Sequence, residues 1–151
     1  MSRTLDLGSV EADPKKLAEG SWFELWREPD TSLEGKVVAG PTDGPCVLIV
    51  PYGIAYERAL DEERRPFLER LRERKATDED LRTIQGRAIA RAVFRGCVNL
   101  SIGGEAVVWS ESKAIELMTD ERWIRLRELV ARKAADRAAS AAREEEQAKG
   151  N

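Results

Sequence analysis

The stretch that decides the fold is PCVLIVPYGIAYERALDEERRPFLERLRERK, residues 45–75. It begins with a short, continuous apolar run, Cys46 to Val50, which is typical of a buried strand. After the turn signal Pro51-Tyr52-Gly53, apolar residues recur at helical spacing among many charges, which predicts a helix with one buried face. Pro66 lacks the backbone N–H that a helix interior needs, so we expect a kink or two separate helices there.

The segments before this stretch predict more strands. Trp22 to Arg27 mixes aromatic and branched residues with charges, and a possible short strand at 36–39 lies within the turn-rich segment 30–45. Together with Cys46 to Val50, these segments predict a small antiparallel sheet.

The segments after residue 75 predict mostly helices. Thr77 is positioned to cap a second helix, and Gly96 to end it. Residues 97–109 predict a short hairpin around Gly103-Gly104. Ser110 is then expected to cap a brief helix, and Thr119 to open the last one.

These elements predict an α+β fold that is predominantly helical: a small N-terminal antiparallel β-sheet, then a helical bundle and a long C-terminal helix. We expect a flexible leader at 1–20 and one globular domain at 21–130, with the sheet in 21–50 and the helices in 54–130. Residues 131–151 form a charged, alanine-rich tail. Two readings of that tail stay open: a solvated helix without a role, or an arm that orders on a partner.

Composition narrows the function classes. The 151 residues carry 35% charged residues and a net charge of −3, with the two signs interleaved, which disfavours nucleic-acid binding. No apolar run is long enough for a secretory signal or a membrane span, so we expect a protein of the cytoplasm that does not bind membranes.

The sequence offers no recognisable catalytic group. It contains no histidine, so a thiol nucleophile at Cys46 or Cys97 would lack its usual base. The carboxylates of Glu62-Glu63 and Glu144-Glu145-Glu146 lie in runs of mixed charge, which favours solvated helix faces. We therefore expect no enzyme activity, no cofactor and no metal. Two buried free thiols are favoured for the cysteines, with a disulfide left open.

The order of several short segments within residues 20–135 carries further information. The segments are Ser21-Trp22-Phe23-Glu24-Leu25-Trp26, Pro51-Tyr52-Gly53, Tyr56-Glu57-Arg58-Ala59-Leu60, Arg65-Pro66-Phe67, Leu71-Arg72, Ile89-Ala90-Arg91-Ala92-Val93, Val107-Val108-Trp109-Ser110, Ala114-Ile115-Glu116-Leu117-Met118, and Trp123 with Leu126-Arg127. In this succession they resemble the tail assembly chaperones of long-tailed (siphovirus-type) bacteriophages, the lambda G-protein type. The chain departs from that pattern in its leader and in its longer segment 30–45.

The resemblance implies a non-enzymatic protein of the host cytoplasm that is absent from the finished virion. Such a protein holds the long tape measure protein soluble while tail-tube (major tail) subunits polymerise around it. The implied partners are therefore these two proteins and further copies of the chain as a homo-oligomer. The family also commonly makes a frameshift-extended form of itself. Lys149-Gly150-Asn151 is compatible with this, because the codons AAG GGA AAC contain a slippery heptamer.

Our own reading of the residues adds candidate protein-interface positions. A chaperone for a long helical client needs apolar contact surface on many subunits. We expect that surface at the aromatic sheet edge and along the kinked helix: Trp22, Trp26, Tyr56, Phe67 and Leu71. The alternatives are another phage morphogenesis factor of the head–tail connector type, and a small helical adaptor that reads DNA with its second helix.

Overall fold

The computed structural model describes residues 20–29 and 32–149. The strands are β1 (Ser21–Arg27), β2 (Leu33–Val38), β3 (Cys46–Ile49), β4 (Phe94–Val98), β5 (Ser101–Ile102) and β6 (Glu105–Ala106). The helices are α1 (Ile54–Arg64), α2 (Leu68–Arg72), α3 (Asp78–Ala92), α4 (Glu111–Thr119) and α5 (Ile124–Lys149), with 3-10 turns at Arg65–Phe67 and Glu121–Trp123. The predicted α+β class, mainly helical with a small antiparallel sheet and a long C-terminal helix, is confirmed.

The main sheet has the strand order β2-β1-β3-β4, and each neighbouring pair is antiparallel. Alternation along β1 gives the sheet two different faces, because successive side chains point to opposite sides. Phe23 and Leu25 are buried on the inner face. Trp22 lies on the outer face, where its cross-strand partners are Val38 and Leu48.

The sequence predicted that Gly96 ends the helix that Thr77 caps. The structure shows that this prediction is wrong. Helix α3 ends at Ala92, and Gly96 lies within β4, opposite Leu48. A Cβ on Gly96 would lie 3.3 Å from the indole of Trp22 and 3.3 Å from Cβ of Leu48. The glycine is therefore explained by the close approach of these two side chains on the outer face.

The predicted interruption at Pro66 is present. Helix α1 gives way to the 3-10 turn that contains Pro66, and α2 continues for five residues beyond it. The predicted cap of α3 is also confirmed. The side chain of Thr77 accepts from the backbone N–H of Asp80, and the Asp80 carboxylate accepts from the N–H of Thr77. This reciprocal capping box satisfies two backbone donors at the helix start.

The last two helices begin with different caps. Ser110 caps α4, as predicted, by accepting from the N–H of Lys113 at 3.0 Å. Thr119 does not open the final helix, because it is the last residue of α4 and donates its hydroxyl to the carbonyl of Ile115. Asp120 instead caps the 3-10 turn that precedes α5, by accepting from the N–H of Arg122.

Helix α5 continues to pack after its last large apolar residue. Ala134 is fully buried, and its carbonyl accepts from the N–H of Tyr52 at 3.3 Å. One turn further, Arg137 donates to the hydroxyl of Ser21 at 3.0 Å. The small alanine side chains of α5 allow the helix to approach the backbone near Tyr52 and Ser21 this closely.

A single core connects the inner sheet face with the helices. It gathers Phe23, Val47 and Ile49 from the sheet, and buried side chains of α3, α4 and α5 pack on them. The cysteines are free and buried. Cys46 pairs with Val98 and the next residue, Val47, pairs with Cys97, so the two thiols lie on opposite faces and cannot form a disulfide with each other.

Two of the predicted segments lie wholly or partly outside the described residues. Apart from Gly20, the predicted leader 1–20 lies outside the described residues, as do Gly150 and Asn151 of the proposed frameshift segment. The division into leader, domain and tail stays a prediction. Within the described part of the chain, no helix combines the length and hydropathy needed to cross a bilayer.

Candidate functional site

An apolar groove of about 310 Å³ lies where the end of the main sheet meets the C-terminal helices. Its wall contains only one charged residue, Arg27, and one hydroxyl residue, Ser101. We call it the apolar groove. Its lining residues are Leu25, Trp26, Arg27, Leu33, Pro45, Leu100, Ser101, Ile102, Val107, Leu117, Trp123 and Leu126.

Three local structures hold the groove open. The adjacent strands β1 and β2 place Leu25 and Leu33 at one wall. The small β5–β6 hairpin brings Ile102 to a second wall, and its base is closed by the hydrogen bond from Val107 N–H to the Leu100 carbonyl at 2.8 Å.

The third wall comes from α4 and from the turn that leads into α5. The Asp120 carboxylate binds the backbone N–H and the guanidinium of Arg122, at 2.9 and 2.7 Å. These hydrogen bonds hold the pKa of Asp120 below its ordinary value. They also fix the 3-10 turn that carries Trp123, whose ring lies 5.4 Å from the Arg122 guanidinium.

Trp26 stands at the rim of the groove. Its side chain is 42% exposed, and its indole N–H donates to the Glu28 carboxylate at 2.7 Å. This hydrogen bond limits the orientations of the ring while much of its apolar surface stays in water. A large, oriented aromatic side chain beside an apolar groove is typical of a protein-binding surface.

The other four predicted interface residues do not line the groove. Trp22 is half-buried on the outer face of the sheet, beside Leu48. Tyr56 is only 8% exposed, and its ring centroid lies 4.3 Å from that of Tyr52, so it offers little surface. Phe67 and Leu71 are half-buried on the 3-10 turn and on α2, and the 3-10 turn contacts α1 and α2.

The groove residues that the interface prediction missed come from distant parts of the sequence. Leu33 lies in the segment 30–45 that the sequence predicted to be turn-rich, and Leu100, Ile102, Val107 and Leu117 lie in the predicted hairpin and brief helix. These residues lie close together only in the tertiary fold, so no local spacing in the sequence predicts their proximity. One signal in the sequence could have indicated the groove. Apolar residues flank the Gly103-Gly104 turn, although the β5–β6 hairpin is too short to bury them by itself.

The chemistry of the groove is suited to binding. In the part of the chain that the structure describes, no group of His, Cys, Asp or Glu side chains could hold a metal ion. The indole nitrogen of Trp123 is buried and has no hydrogen-bond partner among the described atoms. An apolar side chain of a partner that entered the groove would be removed from water, which is the main source of favourable free energy at such a site.

Comparison with known proteins gives the origin of the chain. The model of the YdaY prophage protein family matches residues 52–151, about two thirds of the sequence, including all of the helices and the Leu100–Leu126 side of the groove. No curated protein and no solved structure matches the chain. The match agrees with the phage origin that the resemblance implied, but it does not specify a role in tail assembly. The chain belongs to the YdaY prophage protein family.

Proposed function

We propose that this prophage protein is a tail assembly chaperone. In the host cytoplasm it binds the tape measure protein, helps to recruit tail-tube subunits, and leaves before the virion is complete. The proposal includes no catalysed reaction. The observation that carries it is the apolar groove with the exposed, hydrogen-bonded Trp26 at its rim.

The groove has the properties that a helical client requires. A tape measure protein is a long rod of helices, and an amphipathic helix presents apolar side chains at intervals of three and four residues. Such a side chain fits a groove of about 310 Å³ whose wall is almost entirely apolar. One groove gives modest affinity, and many chaperones along one rod give avidity.

The prophage family supports the same assignment. Membership places the chain among phage-derived proteins, and the succession of segments from Trp22 to Leu126 resembles that of the tail assembly chaperones. Neither the family nor the fold names the client. The client is therefore the part of the proposal that the experiment must test.

The direct experiment is co-expression with the tape measure protein encoded by the same prophage. We expect the chain to keep this client soluble and to co-purify with it. Ile102→Asp places a charge in the groove and should abolish both effects. Val108→Asp is the matched control, because Val108 is 79% exposed and does not line the groove.

Two outcomes would contradict the proposal. In one, the client is equally soluble with the Ile102→Asp variant while that variant is folded by circular dichroism. In the other, mass spectrometry finds the chain in purified phage particles in stoichiometric amount, as a head–tail connector would be. In the same assay, Phe67→Ala tests the other predicted interface, which lies along the kinked helix.

A further inference from the structure

The apolar groove has a single positive charge at its mouth. Arg27 is the only charged residue among the twelve that line the groove. Side chains alternate along β1, so Arg27 lies on the same face as the buried Leu25 and follows it at the last residue of the strand. Both residues line the groove, and Arg27 is exposed. Its side chain therefore stands where the apolar interior of the groove meets water.

Arg27 has no ionic partner in the part of the chain that the structure describes. No carboxylate there forms an ion pair with it. Glu28 is its neighbour in the sequence, but the Glu28 carboxylate accepts from the indole N–H of Trp26 at 2.7 Å. Glu34 is the register partner of Trp26, and it pairs with Arg132 at 3.4 Å. These two carboxylates are thus engaged elsewhere, and the charge at the mouth stays positive.

An occupant of the groove has to satisfy the guanidinium of Arg27. This group has five N–H donors, and no carboxylate of the chain lines the groove. A partner that covered it with apolar atoms would remove these donors from water without replacing their hydrogen bonds, which is unfavourable. A carboxylate is the matching group, because its hydrogen bonds to a guanidinium are charge-assisted and can form in parallel pairs.

We propose that the groove selects those helical segments of the tape measure protein in which an acidic residue lies one turn from an apolar anchor. The apolar anchor enters the groove over Leu25, and the acidic residue pairs with Arg27. The inference rests on the proposed function, because it takes the tape measure protein as the occupant. It adds the chemistry of the segment that is bound.

The spacing in β1 agrees with the spacing in a helix. Leu25 and Arg27 are two residues apart in the strand, which corresponds to about 6.6 Å. One turn of a helix advances about 5.4 Å, and residues three or four positions apart lie on the same face. A helix that lies along β1 with its anchor over Leu25 therefore brings an acidic residue of the next turn to the guanidinium of Arg27.

Arg27 and Trp26 then have different roles at the site. The exposed indole of Trp26 and the apolar wall supply contact area that any amphipathic helix can use. Arg27 distinguishes among such helices, since a basic residue in place of the acidic one would bring two cations together. An exposed ion pair is weak, so the preference should be modest and should decrease as salt is added.

A peptide array identifies the bound segments. The array carries overlapping peptides of about 20 residues from the tape measure protein of the same prophage and from the chain itself, and it is probed with the full chain. We expect the bound peptides to come from the tape measure protein and to carry Asp or Glu three or four positions from a large apolar residue. Bound tape measure peptides without this acidic residue would overturn the inference. Preferential binding of the chain's own peptides would overturn it too, since the occupant would then be a second copy.

Exchange of charge tests the role of Arg27 with the peptide that binds best. Fluorescence anisotropy should show that Arg27→Glu binds this peptide about tenfold more weakly, because repulsion replaces attraction, whereas Arg27→Lys keeps most of the affinity. A peptide whose acidic residue is replaced by Lys should bind Arg27→Glu more tightly than it binds the unmodified chain. Arg58→Glu is the matched control and should bind like the unmodified chain. Arg58 is also exposed and has no ion pair among the described residues, but it lies on α1 and does not line the groove.

The outcomes separate this inference from the proposed function. Equal affinity of Arg27→Glu and the unmodified chain, or no gain with the Lys peptide, would overturn the inference alone if the unmodified chain still keeps the tape measure protein soluble in co-expression. Equal weakening by Arg58→Glu would also overturn it, because the effect would then be one of general charge. If the unmodified chain neither binds a tape measure peptide nor keeps the tape measure protein soluble, the proposed function and the inference are both wrong.

Discussion

Gly86 in the middle of α3 lies directly against the backbone carbonyl of Met118 in α4: a Cβ atom on the glycine would stand only 2.4 Å from that oxygen. The side chain of Met118 is itself fully buried, so α4 cannot move away without disturbing the core. The contact fixes how closely the two helices approach. Since α4 carries Leu117, it also fixes one wall of the apolar groove.

Gly86→Ala should therefore destabilise the protein. In an exposed helix interior, alanine is more favourable than glycine by about 1 kcal/mol. Here the added methyl group meets backbone atoms that cannot rotate away, and we expect a net loss of about 2 kcal/mol or more in the free energy of unfolding. Urea denaturation followed by circular dichroism measures it.

Gly40→Ala is the matched control, because no atom outside its chain neighbours lies within 4 Å of a Cβ at that position. Its free energy of unfolding should stay within about 0.5 kcal/mol of the unmodified value. If Gly86→Ala were as stable as Gly40→Ala, the close packing of α3 on α4 would be wrong.

The carboxylate of Asp80 makes the stability of the fold depend on pH in the acid range. Its carboxylate accepts from the Thr77 N–H at 3.1 Å and from the Arg70 guanidinium at 3.2 Å, and these hydrogen bonds lower its pKa, with the Thr77 backbone as the largest cause. A carboxyl whose pKa is lower in the folded state stabilises the fold above its unfolded pKa. This contribution is lost as the pH falls through the folded pKa.

Asp80→Asn should thus lower the free energy of unfolding at neutral pH. It should also reduce the loss of stability that the unmodified protein shows below about pH 4, the pKa of aspartate in an unfolded chain. The urea midpoint of both proteins, measured from neutral to acid pH, tests this. The difference between them should shrink as the pH decreases. Two parallel curves would show that Asp80 does not contribute through its charge.

The fold was predictable to the extent that local patterns determine it. The run Cys46 to Val50, the interruption at Pro66 and the caps at Thr77 and Ser110 each act within a few residues, and the structure confirms them. Gly96 was misread because a glycine after a helix has two explanations. One is a helix end, and the other is a close approach that only the packing of Trp22 reveals.

The site was less predictable than the fold. Trp26 was predicted as an interface residue because a large aromatic residue in a predicted strand is prominent in the sequence, although β1 lies inside the sheet, between β2 and β3, and not at its edge. Leu33, Ile102 and Leu126 were not, because each looks like an ordinary core position until the strands, the hairpin and α5 converge. Tyr56 shows the opposite case, an aromatic residue that packing has largely removed from the surface.

The two tyrosines of the chain should titrate abnormally. Burial, with the neighbouring Tyr56, raises the pKa of Tyr52 to about 12, and burial also raises the pKa of Tyr56. In the unfolded chain both should ionise near pH 10. The neutral forms are favoured in the fold, so stability should be lost as the pH rises from about 10 towards 12.

Ultraviolet absorbance of tyrosinate, recorded during an alkaline titration, measures this directly. We expect little ionisation of the folded protein at pH 10 and half ionisation of both tyrosines at that pH in denaturant. Tyr52→Phe should reduce the alkaline loss of stability. Ionisation of both residues near pH 10 in the folded state would contradict the packing of their rings.

Phe23 and Trp26 lie in the same strand and should separate stability from binding. Phe23 is 2% exposed, and its replacement by alanine should cost about 3–5 kcal/mol in the free energy of unfolding. Trp26 is 42% exposed, so Trp26→Ala should cost about 1 kcal/mol or less. Thermal unfolding of both variants measures the difference. In the co-expression assay, Trp26→Ala should nevertheless recover at least about tenfold less client, since tryptophan is enriched among the interface residues whose truncation costs about 2 kcal/mol or more in binding. A Trp26→Ala variant that is stable and still recovers the client in full would remove Trp26 from the site.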